Sequence, residues 1–157
     1  MRQPRFLNQS LFAELADKAA ANPRGRQHHN FHEMDEPCHR MAVGLQPDTY
    51  IQPHRHVSAG KAECVIVLKG SLGLLIFSEQ GEVIDKRVLQ AGGECVGVDM
   101  AEGTYHGLVV LEPDSIMFEC KAGPYVPVGA GEAAPWAPRE GEPGVAEYHA
   151  WMRAQFV

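Results

Sequence analysis

Short apolar runs separated by turn residues dominate the middle of the chain, between residues 63 and 120. The runs at 72–77 and 83–89 flank a Glu-Gln-Gly turn, and this pattern predicts a β-hairpin. Further turns fall at Gly92-Gly93 and around Pro113. Short strands at regular spacing, with turns between them, predict an all-β sandwich or small barrel.

Helical spacing is confined to the two ends of the chain. Asn8 or Ser10 can cap a first helix, which is predicted to end at Pro23. A second helix is predicted over residues 145–156. The residues that recur on the apolar face of the first helix are Leu11, Leu15 and Ala19.

The chain is predicted to form a single domain over residues 1–157, in three parts. Residues 1–40 would form the N-terminal helix and a polar segment, residues 41–121 the β-barrel, and residues 122–157 an arm and a helix that wrap it. Proline and glycine exclude regular structure from the arm, whereas its Tyr125 and Trp136 call for burial.

The strands predicted at 64–68 and 72–77 are apolar on both faces. One of those faces should therefore be covered by a second layer, a helix or another subunit. A homodimer is one way to provide that cover.

The spacing of two histidines is the first sign of chemistry. His54 and His56 are two residues apart, and in an extended strand such side chains share one face. A turn at 57–61 is then predicted to return the chain as a hairpin strand that brings Glu63 beside them. His106, just after a glycine turn, offers a fourth ligand.

Histidine nitrogens combined with a carboxylate suit a divalent first-row metal. An isolated His-x-His pair is more often an ordinary surface or core feature. Here the carboxylate, the glycine and the later histidine follow it in order, between valine-rich strands. We therefore predict one divalent transition metal, which is Fe, Zn, Mn or Ni. The predicted ligands are His54, His56, Glu63 and His106.

Two stretches resemble the sequence motifs of the cupin superfamily. His54-x-His56, Glu63 and Gly70 resemble the first motif, and Gly103-x-x-His106 resembles the core of the second. The interval between His56 and Glu63 is longer than in the common form of the first motif. The resemblance implies a double-stranded β-helix barrel, or jelly roll, around the metal.

Nearly the whole chain is similar to the WbuC family of cupin-fold metalloproteins. That resemblance implies one bound metal and an association with bacterial surface-polysaccharide (O-antigen) gene clusters, without an established reaction. Besides the initial helix, the matching stretches are Asn30-x-His32, Cys38-His-Arg-Met41, Thr49 to His56, Gly123-Pro-Tyr125 and Trp136 to Glu140.

Residues 24–40 are dense in histidine and arginine. They are interpreted in two ways, as a solvated connecting loop or as a segment at the barrel mouth that holds an anionic or polyhydroxy ligand. Arginine suits the second role because its planar fork binds carboxylate or phosphate through two hydrogen bonds. The candidate ligand-binding residues in this segment are Arg26, Asn30, His32 and Arg40.

Tyr50 and Gln52 precede His54 at even numbers, so an unbroken strand would place all three side chains on one face. Tyr50, Gln52 or His32 are therefore candidates for proton transfer next to the metal.

Charge and composition exclude some classes of partner. The formal net charge of −6 leaves no basic face for a nucleic acid. The first residues lack the apolar stretch of a signal peptide, and no later run reaches membrane-spanning length, so a cytoplasmic protein is expected. The cysteines, Cys38, Cys64, Cys95 and Cys120, are expected to be reduced and to pack as small apolar residues.

The sequence supports several functional hypotheses. The first is a metal-dependent enzyme that acts on a small polar molecule, such as a sugar or sugar-derived acid, with the metal as Lewis acid. With Fe(II), the same ligands would suit a dioxygenase. The second is a non-catalytic module that binds a sugar or another small molecule, and the third is an inert barrel with a structural metal. An open metal position beside an acid or base would favour an enzyme.

Overall fold

Two antiparallel sheets and two helices make up the computed structural model, which describes residues 3–58, 60–126 and 131–157. The elements are α1 (Gln9–Ala21), β1 (Arg26–Asn30), β2 (Cys38–Leu45), β3 (Glu63–Lys69), β4 (Ser71–Phe77), β5 (Val83–Gln90), β6 (Gly97–Met100), β7 (Tyr105–Val110), β8 (Ser115–Ala122) and α2 (Val145–Ala154).

The larger sheet has five strands in the order β1-β2-β8-β3-β6, and the smaller has three in the order β5-β4-β7. Side chains from both sheets form the main core between them, which includes Val43, Val65, Leu72, Leu89 and Met117. The predicted hairpin of β4 and β5 is confirmed, since these strands pair from Ser71↔Gln90 to Phe77↔Val83. The all-β core predicted from the sequence is therefore confirmed.

Gly70 marks the point where the chain leaves the larger sheet for the smaller one, between β3 and β4. Its φ of 73° lies in the left-handed region that favours glycine. A Cβ atom here would lie 2.3 Å from Ser115 Oγ. Glycine therefore satisfies both the backbone turn and the close approach of β8.

Helix α1 covers part of the outer face of the larger sheet. Asn8 caps it by accepting a 3.0 Å hydrogen bond from the Leu11 N–H. Phe12 and Leu15 are buried against Ala42 and Ile116 of β2 and β8. The predicted helix and its buried face are confirmed, although Leu11 itself is only half-buried.

The C-terminal helix covers the outer face of the smaller sheet. The Phe156 ring, just beyond α2, lies over Gly73, and Met152 lies over Gly107. The apolar outer face of β4 is thus covered by the chain itself. None of the helices in the described part of the chain is long and apolar enough to span a membrane.

The proline-rich arm before α2 packs against the smaller sheet, and its residues 127–130 lie outside the described part of the chain. Trp136 contacts Tyr105, with ring centroids 4.7 Å apart. Glu140 binds Arg26 of β1 at 2.7 Å. The prediction that Tyr125 would be buried is wrong, because its side chain is 52% exposed.

Candidate metal centre

Four side chains that bear metal-ligating atoms converge at one end of the sandwich. They belong to His54, His56, Glu63 and His106, and their ligand atoms all lie within 4.8 Å of one another. Glu63 and His106 are buried, and the other two are half-buried. Such a group could hold a metal ion.

Glu63 reaches the cluster by a different route from the predicted hairpin. Strand β3 pairs with β6 and β8 rather than with the 54–56 segment, so that expectation is wrong. His54 instead bridges His106 on one side and Ala133 of the arm on the other. Because both edges of this short segment are already paired, β3 cannot add to it, and Glu63 approaches from the larger sheet.

Backbone carbonyls orient two of the imidazoles. His54 Nδ1 lies 3.0 Å from the Gln52 carbonyl, and His106 Nδ1 lies 2.9 Å from the Thr104 carbonyl. A carbonyl only accepts, so each Nδ1 carries a hydrogen, and in the neutral form of each imidazole Nε2 has a free lone pair. Hydrogen bonds of this kind orient histidine ligands in metal sites.

The cluster contains buried polar atoms whose geometry fits a missing cation. His56 Nε2 and Glu63 Oε2 lie 3.2 Å apart, and His106 Nε2 lies 3.3 Å from the same oxygen. Yet neither His56 Nε2 nor Glu63 Oε2 has a hydrogen bond of acceptable geometry to the described residues. Buried atoms without partners are costly, and a divalent ion would satisfy both.

The electrostatics of the cluster also favour a cation. Burial, followed by the charge of His106, lowers the pKa of His54 to about 4, so this imidazole is neutral at neutral pH. Burial alone would raise the pKa of Glu63, but its contacts with His106 and His56 hold it well below its usual range. Burial likewise opposes protonation of His106, but Glu63 outweighs it and raises the pKa of His106.

Two charged residues on the inner face of β8 adjoin the cluster and were missed by the sequence reasoning. Lys121 Nζ lies 2.6 Å from Glu119 Oε1 and 3.9 Å from Glu63 Oε1. Burial and the charge of Glu63 raise the pKa of Glu119 to about 7. Burial lowers the pKa of Lys121, but Glu119 and Glu63 outweigh it, and the net shift is upward. Two charges on alternate positions of an otherwise apolar strand could have revealed them.

A small cavity of about 60 Å³ connects His56 to Lys121. Lys61 is fixed on its wall, because its Nζ donates to the carbonyls of Ala122 and Pro124 at 3.0 and 2.9 Å. The lining residues are His39, His56, Ser58, Lys61, Lys121, Ala122, Tyr125, Val126 and Glu132. The cavity gives a small molecule a place beside one of the candidate ligands.

The structure turns Tyr50 and Gln52 away from the cluster and toward the arm. The Tyr50 hydroxyl donates to the Pro138 carbonyl at 2.7 Å, and Gln52 Nε2 donates to Ala134 and Ala137 at 3.1 and 3.0 Å. Residues 50–53 do not form the unbroken strand on which their shared face depended. Burial raises the pKa of Tyr50, which keeps its hydroxyl protonated.

The four candidates in the 24–40 segment do not gather at the cluster either. Arg26 donates to the Tyr50 carbonyl at 3.0 Å, besides its ion pair with Glu140. Asn30 is exposed at the end of the edge strand β1, and Arg40 pairs with Glu36.

His32 lies nearer the cavity, but behind another histidine. It accepts a 2.8 Å hydrogen bond from the Arg40 N–H. Its ring stacks on that of His39, with centroids 3.9 Å apart. The missed residue His39, and not His32, lines the cavity.

Comparisons with known proteins agree with this architecture. The model of a family described as a domain of unknown function, DUF6016, matches residues 7–89. No curated protein matches the chain.

Several solved structures have a similar fold. KdgF from Halomonas sp. superposes with a TM-score of 0.53 at 21% identity, covering 67% of this chain and 84% of that one. Oxalate oxidase in complex with glycolate superposes with a TM-score of 0.52 at 18% identity, covering 67% of this chain and 54% of that one. The capsular polysaccharide assembling protein CapF from Staphylococcus aureus superposes with a TM-score of 0.57 at 15% identity, covering 71% of this chain and 30% of that one. These are cupin-fold proteins, and the chain has the cupin fold.

Proposed function

We propose that this chain, which belongs to the DUF6016 family, is a metalloprotein that holds one divalent transition metal in its β-barrel. Because the family description names no activity, the proposal rests on the site itself. The observation that carries it is the convergence of four ligand atoms within 4.8 Å. His54, His56, Glu63 and His106 would hold the metal, which we expect to be Fe, Zn, Mn or Ni.

The function that this site supports best is a metal-dependent enzyme for a small polar molecule. A bound divalent ion supplies a Lewis acid that polarises an oxygen of the substrate. The cavity beside His56 would bind the substrate and separate it from bulk water. Lys121 lies 3.9 Å from the candidate ligand Glu63 and pairs with Glu119, and these two residues would hold or move protons there.

A sugar or sugar-derived acid is the substrate class that we propose. The similarity to CapF, a capsular polysaccharide assembling protein, supports a link to surface polysaccharides. The resemblance to the WbuC family supports the same link. The oxalate oxidase of similar fold binds glycolate, which supports a small ligand rich in oxygen. A homodimer and a cytoplasmic location stay predictions from the sequence.

Two alternatives use the same residues. Two histidines and a carboxylate are the ligands of Fe(II) oxygenases, so a dioxygenase would follow if iron is the metal. A non-catalytic binding module would use the metal and the cavity to hold a small molecule without turnover. Proton transfer by Tyr50 or Gln52 remains a proposal from the sequence. In this structure the hydroxyl of Tyr50 and the amide of Gln52 donate hydrogen bonds to the arm.

Elemental analysis of the purified protein tests the metal centre. Protein from its native host, prepared in air and anaerobically, should contain near-stoichiometric metal. Iron that is lost or oxidised in air would favour oxygen chemistry, whereas zinc, nickel or manganese in both preparations would favour Lewis-acid chemistry. His54→Ala and His106→Ala should each lose the metal, and His28→Ala, an exposed residue on the edge strand β1, should keep it. Stoichiometric metal in both cluster variants would refute the assignment.

A further inference from the structure

We infer that the ligand of this site is a small monocarboxylate with a hydroxyl or carbonyl oxygen on the adjacent carbon, and that Lys121 binds its carboxylate. This inference rests on the metal centre proposed above. It narrows the class of ligand from small polar molecules in general to short hydroxy or oxo acids. It also assigns Lys121 as the residue that selects for the carboxylate.

Lys121 is placed to contact a ligand that also contacts the metal. In the larger sheet it lies opposite His39 of β2 and Glu63 of β3, so its side chain shares the inner face with Glu63. An ammonium group has three donors, and Lys121 Nζ forms an ion pair with Glu119 Oε1 at 2.6 Å without a hydrogen bond of acceptable geometry. The 3.9 Å distance to Glu63 is too long for a hydrogen bond. A donor therefore remains for a ligand.

The cavity restricts the ligand to a few heavy atoms. Its volume of about 60 Å³ has His56 on one wall and Lys121 on another. At roughly 15 Å³ for each water molecule, this is room for about four waters. An acid of two or three carbons is of that size, and so is the acidic end of a longer molecule.

The balance of charge around the cavity selects a single negative charge. A divalent metal would exceed the charge of Glu63 by one positive charge. In its ionised form Glu119 offsets Lys121, and the cavity wall carries Lys61 and Glu132 with opposite charges. A monoanion neutralises the excess, whereas a neutral polyol leaves it uncompensated in a partly buried site.

The second oxygen follows from what a divalent metal accepts. First-row divalent metals accept oxygen ligands such as carboxylate, hydroxyl and carbonyl besides imidazole, and neighbouring oxygens of one molecule can serve together. A hydroxy or oxo acid offers such a pair, and its other carboxylate oxygen can accept a charge-assisted hydrogen bond from Lys121.

The test uses protein loaded with cobalt(II), which reports its ligands through its visible absorption. Glycolate serves as the acid probe and ethylene glycol as its neutral counterpart of similar size, with affinities measured by calorimetry. We expect glycolate, but not ethylene glycol, to change the cobalt spectrum. Lys121→Met should lower the affinity for glycolate at least about ten-fold, as expected for the loss of a hydrogen bond to a charged group. The cobalt stoichiometry should stay the same. Lys69→Met, an exposed residue on β3, is the matched control.

Each outcome is informative. Equal binding of the two probes would overturn the inference, and so would unchanged glycolate affinity in Lys121→Met. If Lys121→Met does not fold, Lys121→Gln replaces it, because it keeps a donor for Glu119 and should show a similar loss of glycolate affinity. The comparison of the two probes on the wild-type protein needs no variant. Failure of the wild-type protein to bind cobalt would instead refute the proposed metal centre itself.

Discussion

Glu63 and Lys121 are cross-strand partners in β3 and β8, and Lys121 Nζ lies 3.9 Å from Glu63 Oε1. The other carboxylate oxygen, Oε2, faces His56 and His106. The two oxygens of one carboxylate therefore face different groups, a lysine on the cavity wall and the histidines of the cluster. A change at Glu63 should consequently affect metal binding and the electrostatics of the cavity together.

Glu63→Gln should weaken metal binding while keeping the shape of the side chain. The amide removes the negative charge that attracts a divalent ion. Loss of outer partners of metal ligands already costs about 10–100-fold in affinity, so we expect a loss of at least that size for a direct ligand. A competitive titration with a metal indicator measures it, and Glu82→Gln, on an exposed turn, is the control. Equal affinity in the two variants would show that Glu63 does not bind the metal.

Metal affinity should rise with pH and then level off. Burial opposes protonation of His106, but Glu63 outweighs it and raises the pKa of this histidine above its ordinary 6.5. Below that raised pKa the metal must displace a proton, so affinity should fall about ten-fold for each pH unit. His54, with a pKa of about 4, does not compete in this range.

Metal titrations between about pH 6 and 9 check this dependence, with proton release measured in two buffers of different ionisation enthalpy. The control is Glu63→Gln, in which the raised pKa of His106 should fall and the dependence should move to lower pH. Affinity that stays constant across the range would contradict the proposed competition between proton and metal.

Most strands and the four candidate ligands could be found from the sequence because they depend on local signals. Turn residues such as Gly70 and Gly81 mark strand ends, and apolar runs between them mark strands. The order of His54, His56, Glu63 and His106 identified a group that the structure brings together. Each of these signals spans only a few residues.

Strand pairing could not be found in the same way, because it depends on contacts between distant residues. His54 pairs with His106 and Ala133, which are far away in the sequence. The arm therefore occupies the edge to which the hairpin with β3 had been assigned. The same arm binds the polar groups of Tyr50 and Gln52, whose sequence spacing alone had suggested a role beside the metal.

Met152 anchors α2 to the smaller sheet and should make a large contribution to stability. Its side chain is fully buried and belongs to the cluster that also contains Leu75, Val109 and Ala137. Met152→Ala should cost about 2–5 kcal/mol in unfolding free energy, because it leaves a cavity beside Gly107. Urea unfolding measures it, with Glu147→Ala on the exposed side of α2 as the control. A loss in Met152→Ala no larger than that in Glu147→Ala would show that burial of Met152 contributes little to stability.

The ion pair between the arm and β1 should make stability depend on acid pH. The pKa of Glu140 is lowered to about 2, mainly by its hydrogen bond from Arg24. Burial opposes this shift, and Arg26 adds to it. A lowered carboxyl pKa stabilises the fold above the unfolded value of 4.5, and that stabilisation is lost as pH falls through about 2. Glu140 is 37% exposed, so solvent screening limits the contribution to about 1 kcal/mol.

Glu140→Gln should therefore be less stable than the wild type at pH 7, and the difference should shrink as the pH falls below 4.5 toward about 2. Urea unfolding at neutral pH and at about pH 3 gives both values. Glu94→Gln, at an exposed turn, should show no such convergence. A difference between Glu140→Gln and wild type that is the same at both pH values would mean that the arm is held by packing of Trp136 and Tyr105 rather than by charge.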